Sequence, residues 1–149
     1  MKKKTIAVLL SILLIAIAAT VIFLIRFEGI PENTKIINQN ILKLKGENRS
    51  TPFSDVIPFA WDRAYILEDP YYDGEAIDKI VGAETHLDRL ETEVRRRIVF
   101  VNQGKFVYDY IYGIGDFTFK PFGTLELTTN STIRVLDSES ETPIVQVEP

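Results

Sequence analysis

The stretch AWDRAYILEDPYYDG, residues 60–74, sets Trp61, Arg63, Tyr65, Tyr71 and Tyr72 among the carboxylates Asp62, Glu68, Asp69 and Asp73. Two chemistries would use such a mixture. An aromatic platform with Arg63 and Asp62 beside it can hold a sugar or a peptide through apolar area and a few placed polar groups. A pair of carboxylates can hydrolyse a glycosidic bond when a cleft about 5 to 9 Å wide holds them apart. The spacing in this stretch matches no diagnostic pattern for the second chemistry. A structural reading competes with both. A single tryptophan in a small domain contributes most when buried, and acids just before a short apolar run serve as helix caps. On that reading Trp61 belongs to the core, Asp62 bonds backbone amides at a sheet edge, and Asp73 starts a helix.

Other catalytic and metal constellations fail on residue type. Setting Asp69 at position 1 of a calcium loop puts Tyr71 at position 3 and Ile80 at position 12, where acidic ligands are needed. His86 is the only histidine, so a three-histidine zinc site is excluded, and no serine sits in a G-x-S-x-G turn. With no cysteine, there is no disulfide, thiolate metal site or thiol nucleophile. Arg95-Arg96-Arg97 reads as a strand entry paired with Glu91 and Glu93. No catalytic residue, metal ligand or cofactor is therefore assigned. The residues singled out for binding are Trp61, Arg63, Tyr65, Tyr71 and Tyr108, as one aromatic face.

The elements that must position these residues follow from periodicity. Phe59, Trp61, Arg63, Tyr65 and Leu67 alternate with Ala60, Asp62, Ala64 and Ile66, a strand with two different faces. Pro70 ends it. Asp73 and Glu75 open a helix over AIDKIV that stops at Gly82. AETHLDRLETEVRRR is open between a second short helix and a charged loop. Strands over 96–102 and 105–112 flank the turn residues Asn102-Gln103-Gly104-Lys105. In that hairpin Val101 pairs with Phe106 and Val99 with Tyr108, and Phe106, Tyr108, Tyr110 and Tyr112 share a face. TLELTT, TIRVLD and PIVQV form a β-rich tail. Upstream, Ile37, Ile41 and Leu44 mark one weak helix in a segment punctuated by Pro31, Gly46, Pro52 and Pro58.

Thr5 to Ile25 is an uncharged run of 21 residues preceded by Lys2, Lys3 and Lys4. As a helix it would span roughly 31 Å, matching a hydrocarbon core of about 30 Å. The positive flank places the N-terminus in the cytoplasm. Ala16-Ile17-Ala18 has the form of a signal-peptide cleavage site, but cutting there would leave the apolar end ATVIFLI, which favours an uncleaved anchor. Residues 26–149 hold all 21 acidic residues and 14 of the 17 basic ones, a net charge of −7. Such a domain is a poor partner for nucleic acid.

Phe59, Trp61, Asp62, Tyr65, Ile66, Pro70, Tyr71, Ile77, Ile80, Gly82, Val99, Phe100 and Gly104 form a pattern close to F-x-W-D-x-x-Y-I, then P-Y, then a short helix and a strand-turn-strand. The chain resembles, over about residues 55–125, small bacterial extracytoplasmic proteins with an N-terminal signal or anchor. It departs at Tyr72, where that group tends to carry Thr or Ser as the helix cap. The resemblance implies a location and an architecture and carries no mechanism.

The sequence thus predicts an α+β protein. An N-terminal transmembrane helix is followed by a small antiparallel sheet with one or two short helices. Residues 1–4 are a cytoplasmic basic tail, 5–25 the single span, 26–58 a juxtamembrane linker and 59–149 the extracytoplasmic domain. The expected function is a non-enzymatic binding or accessory module of the bacterial envelope. It would sit in the bilayer through residues 5–25 and contact an envelope protein or a cell-wall component. The alternatives are a small hydrolase using Asp62 or the carboxylates between Glu68 and Asp78, and a structural component acting through its membrane helix.

Overall fold

The computed structural model describes residues 31–136 and 142–148. The basic tail and the expected span at 5–25 lie outside the described residues. Among those that are described, no helix is long and apolar enough to cross a membrane.

Helix α1, Glu32–Lys43, begins one residue after Pro31 and carries Ile37 and Ile41 one turn apart, with Leu44 just beyond. All three are buried, so the stripe of apolar spacing packs as its period requires. A short strand β1 (Thr51–Pro52) and a 3-10 turn (Phe53–Val56) follow, burying Phe53 and Val56. The described part of the segment expected as a linker is therefore one wall of the core.

The remaining elements are β2 (Arg63–Leu67), α2 (Gly74–Val81), β3 (Arg95–Asn102), β4 (Lys105–Gly113), β5 (Thr118–Lys120), β6 (Leu125–Thr128), β7 (Thr132–Leu136) and β8 (Ile144–Glu148). They form two four-stranded sheets, β1-β7-β8-β5 and β4-β3-β2-β6. This corrects the expectation of one small antiparallel sheet. The β5–β8 pair is also parallel, the rest antiparallel. The physical reason lies in the burial patterns. Strands β7 and β8 bury alternate residues only, Ile133, Val135, Val145 and Val147, and need a layer to face. Strand β3 buries Ile98, Val99, Phe100 and Val101 in succession, so both of its faces are covered. One face of the β4-β3-β2-β6 sheet shares a core with the second sheet and α1; the other packs on α2 through Ile77 and Val81.

Helix α2 forms as its sequence dictates. Asp73 accepts a hydrogen bond from the Ala76 amide at 2.8 Å, and Gly82 closes the helix with φ 69°. The ambiguous segment after it is irregular rather than helical, held by the Asp78 carboxylate. That carboxylate accepts the Thr85 hydroxyl at 2.6 Å and the Thr85 amide at 2.9 Å. These bonds, hydroxyl first, hold Asp78 below the usual carboxylate range.

Two local irregularities redistribute the aromatics. The β3–β4 register shifts at Val107: Phe100 faces Tyr108, Val101 faces Phe106, and Val99 faces Asp109 rather than Tyr108. This bulge turns Phe106 onto the α2 side while Tyr108, Tyr110 and Tyr112 keep the other face. The second lies at Asp62, a bend just before β2. Phe59 and Trp61 before it pack in the inter-sheet core; Tyr65 and Leu67 after it pack against α2. Asp62 itself fastens the β3–β4 turn. Its amide donates to the Val101 carbonyl at 3.0 Å and its carboxylate accepts the Gln103 amide at 2.6 Å.

The α2 side also buries a charge pair. Arg97 Nη2 lies 3.2 Å from Asp109 Oδ2, and Arg97 Nη1 donates to the Asp88 carbonyl at 2.7 Å. Arg97 Nε and Asp109 Oδ1 are buried without a hydrogen-bond partner. Burial raises the Asp109 carboxyl to about 6, against the opposing pull of Arg97.

Two outcomes follow. Trp61→Ala should cost about 3–5 kcal/mol of stability, as truncation of a buried aromatic does, whereas Leu42→Ala on the exposed side of α1 should stay within about 0.5 kcal/mol; equilibrium denaturation reads both. For Asp109, the folded value lies above the ordinary 3.8, so the native state holds this proton more tightly than the unfolded chain. Its contribution is full below 3.8 and is lost as pH rises through about 6. The stability difference between wild type and Asp109→Asn should slope through that window, and a flat difference would mean that Arg97 keeps the carboxylate ionised throughout.

Candidate functional site

Three connections meet at one end of the β4-β3-β2-β6 sheet: residues 68–73 after β2, 91–94 before β3 and 121–124 between β5 and β6. Each is fixed locally. Asp69 accepts the Tyr71 amide at 2.8 Å, a turn closed by a carboxylate just before Pro70. The Leu90 amide donates to the Pro70 carbonyl at 2.8 Å, tying the second connection to the first. Gly74 has no room for a side chain, since a Cβ there would lie 2.5 Å from the Leu87 carbonyl oxygen. Gly123 turns the third connection with φ 113°.

Between them lies an open cleft of about 530 Å³ lined by Glu68, Asp69, Pro70, Tyr71, Tyr72, Glu93, Arg96, Gly123 and Thr124. Arg96 rises from β3 as its strut. Its Nε approaches Glu68 Oε1 at 3.3 Å, and its Nη1 donates to the carbonyls of Glu93 at 2.7 Å and Arg95 at 2.8 Å. The guanidinium thus holds the acidic loops together from below. Tyr71 is half exposed. Partial desolvation, followed by a hydrogen bond to Glu93 and the charges of Glu93 and Asp69, raises its phenol above the ordinary value. Such a tyrosine is a hydrogen-bonding aromatic surface and a poor nucleophile. The connections at 68–73, 91–94 and 121–124 carry Glu68, Asp69, Asp73, Glu91 and Glu93 and no basic residue.

The same end carries apolar side chains. Six large apolar residues are exposed among the described residues, and Tyr71, Val94 and Phe122 belong to these connections. A fourth, Ile114, donates its amide to the Val94 carbonyl at 3.0 Å. Phe122 carries Lys120 Nζ 3.3 Å above its ring.

The expected aromatic face does not form one surface. Trp61 is 7 % exposed and packs edge-on against Phe53 and Phe100 at 5.7 and 5.6 Å between ring centres. Tyr65 is buried on the opposite side of the sheet, its phenol raised first by desolvation and then by Glu126. Tyr108 shares a 2.8 Å hydrogen bond with Thr34 and packs at a tilt against Phe59, 5.2 Å between ring centres. Arg63 is half-buried on β2, in register with Val101 and Thr128. Of the five residues, only Tyr71 lines the cleft. Burial explains this, since alternate residues of a strand covered on both faces cannot share a wet surface.

Among the carboxylates, Glu68 and Asp69 line the cleft, while Asp62 and Asp78 serve the turn and the loop described above. His86 is exposed with φ 55° and lies 3.6 Å from Glu84. No group of three acidic or histidine ligands forms a metal site among the described residues. Pro70, Tyr72, Glu93, Arg96, Gly123 and Thr124 are the lining residues that the sequence did not single out for a site. Arg96 was legible only as one of three arginines near acids, and its carboxylate partner is Glu68 rather than Glu91 or Glu93. Thr124 reaches the cleft because β6 pairs with β2, a contact no local signal encodes.

The chain matches no family model, no curated protein and no solved structure. The Tyr71–Glu93 contact can be tested directly. Glu93→Gln should lower the ionisation of Tyr71 toward the ordinary tyrosine value, since both influences of Glu93 raise it. The difference in ultraviolet pH titration between each protein and its Tyr71→Phe counterpart isolates that group. An unchanged titration would place the Glu93 carboxylate away from the ring.

Proposed function

We propose that this protein is a binding module held at the cell membrane by residues 5–25, its C-terminal domain outside, receiving an envelope partner in the Tyr71–Arg96 cleft. The observation that carries this reading is that Tyr71, Val94 and Phe122, three of the six exposed large apolar residues among the described residues, lie on the three connections that form the cleft. Exposed large apolar residues scattered singly are ordinary, but a cluster rimmed by charge marks interaction surfaces. Connections on a rigid sheet are also where binding residues concentrate. The membrane position rests on the uncharged 21-residue run behind Lys2, Lys3 and Lys4.

The test is site-directed photo-crosslinking in intact membranes. A benzophenone side chain at position 71 should capture a discrete partner, and one at position 42, exposed on α1, should not. Replacing residues 5–25 with an unrelated apolar segment should leave the position-71 product unchanged. Equal capture from both positions, or loss of the product with the native segment, would move the function away from the cleft.

A further inference from the structure

The cleft combines an exposed aromatic ring with two carboxylates, Asp69 and Glu93, that no basic side chain pairs among the described residues. Arg96 is its only basic lining residue. Its Nε is directed to Glu68 and its Nη1 to two backbone carbonyls. Among the described residues no ion pair joins Asp69 or Glu93 to a basic side chain. Asp69 spends one oxygen on the Tyr71 amide, and the Glu93 side chain lies close enough to the Tyr71 phenol to raise it. Each carboxylate keeps further acceptor capacity, since an ionised carboxylate offers about four lone-pair sites. Tyr71 supplies a π face beside them, and Val94 and Phe122 stand exposed on the neighbouring loop positions.

From this arrangement we infer that the cleft binds a Lys or Arg side chain carried by an apolar-flanked polypeptide segment. The inference rests on the cleft being the binding site and adds the chemistry of its ligand. The methylene stem of Lys or Arg packs along an aromatic ring while its charged head meets carboxylates. A cation over the ring gains a further attraction from the ring quadrupole. A phosphate, an acidic peptide or nucleic acid would meet like charge from the same loops. Val94, and the part of Phe122 that Lys120 does not cover, give the residues flanking the cation something to cover.

The full chain in detergent micelles, labelled with fluorotyrosine, reports on Tyr71 by fluorine NMR, with Tyr71→Phe assigning its signal. The probes are acetyl-Leu-Lys-Leu-amide, its arginine form, and forms with norleucine or Glu at the centre. The Lys and Arg peptides should shift the Tyr71 signal, with the norleucine and Glu peptides at least about tenfold weaker. Raising salt from about 50 to about 500 mM should weaken the Lys and Arg peptides and not the norleucine one. Glu93→Gln should weaken them as well, and Asp69→Asn serves if that variant melts early. Equal binding by norleucine would overturn the cation and leave the cleft as an apolar binding site. No shift from any peptide, with the position-71 crosslink intact, would overturn the ligand chemistry alone. No shift and no crosslink would overturn both readings.

Discussion

Coverage of both faces of strands β2 and β3 is the constraint on which the rest depends. Ile98, Val99, Phe100 and Val101 are all buried, as are Ala64, Tyr65, Ile66 and Leu67 on the neighbouring strand. A sheet with two apolar faces has to be sandwiched. One cover is the second sheet with α1, the other is α2. The inter-sheet core is rich in aromatics: Phe53, Phe59, Trp61 and Phe100 contact one another, as do Tyr110, Tyr112, Phe117 and Phe119. Rings at these separations stabilise beyond the area they bury.

That packing decides what is left for function. Where β2 and β3 run through the sandwich, their aromatic and aliphatic side chains are consumed by the core. Only at the strand ends does the chain leave the layers, and there the charged and apolar side chains of three connections stay in water. Arg96 links the two regimes. It stands on a core strand, beside Tyr112 across the β3–β4 pair, yet its guanidinium reaches the loops. Burial and the charge of Glu68, partly offset by Arg96, raise the Tyr112 phenol above the range where it would ionise.

The strand next to Arg96 carries a different device. Arg97 is buried and Asp109 mostly buried on the α2 side, and Asp109 lies on β4, the edge of its sheet. A charge pointing inward and the bulge at Val107 are both features that keep an edge strand from pairing with another chain. A buried ion pair contributes little net stability against well-packed apolar residues. Its presence on an edge strand is consistent with a role in limiting what that edge can join.

Local rules in the sequence determined the elements whose causes are local. The Asp73 cap and Gly82 stop of α2, the Asn102–Lys105 turn, the Ile37–Ile41–Leu44 stripe and the burial of Trp61 all depend on neighbours within a few residues or on side-chain size. The second sheet, the parallel β5–β8 pair and the Val107 bulge depend on partners far along the chain, so periodicity could not reveal them. The same division holds for the site. Tyr71 and the acids around it were visible because their types are unusual together. The cleft was decided by tertiary structure, because Glu93, Arg96 and Thr124 reach Tyr71 only when β3 and β6 flank β2. The five-residue aromatic face failed for the converse reason: alternation reports that two faces differ, and only the layers above and below decide which of them meets water.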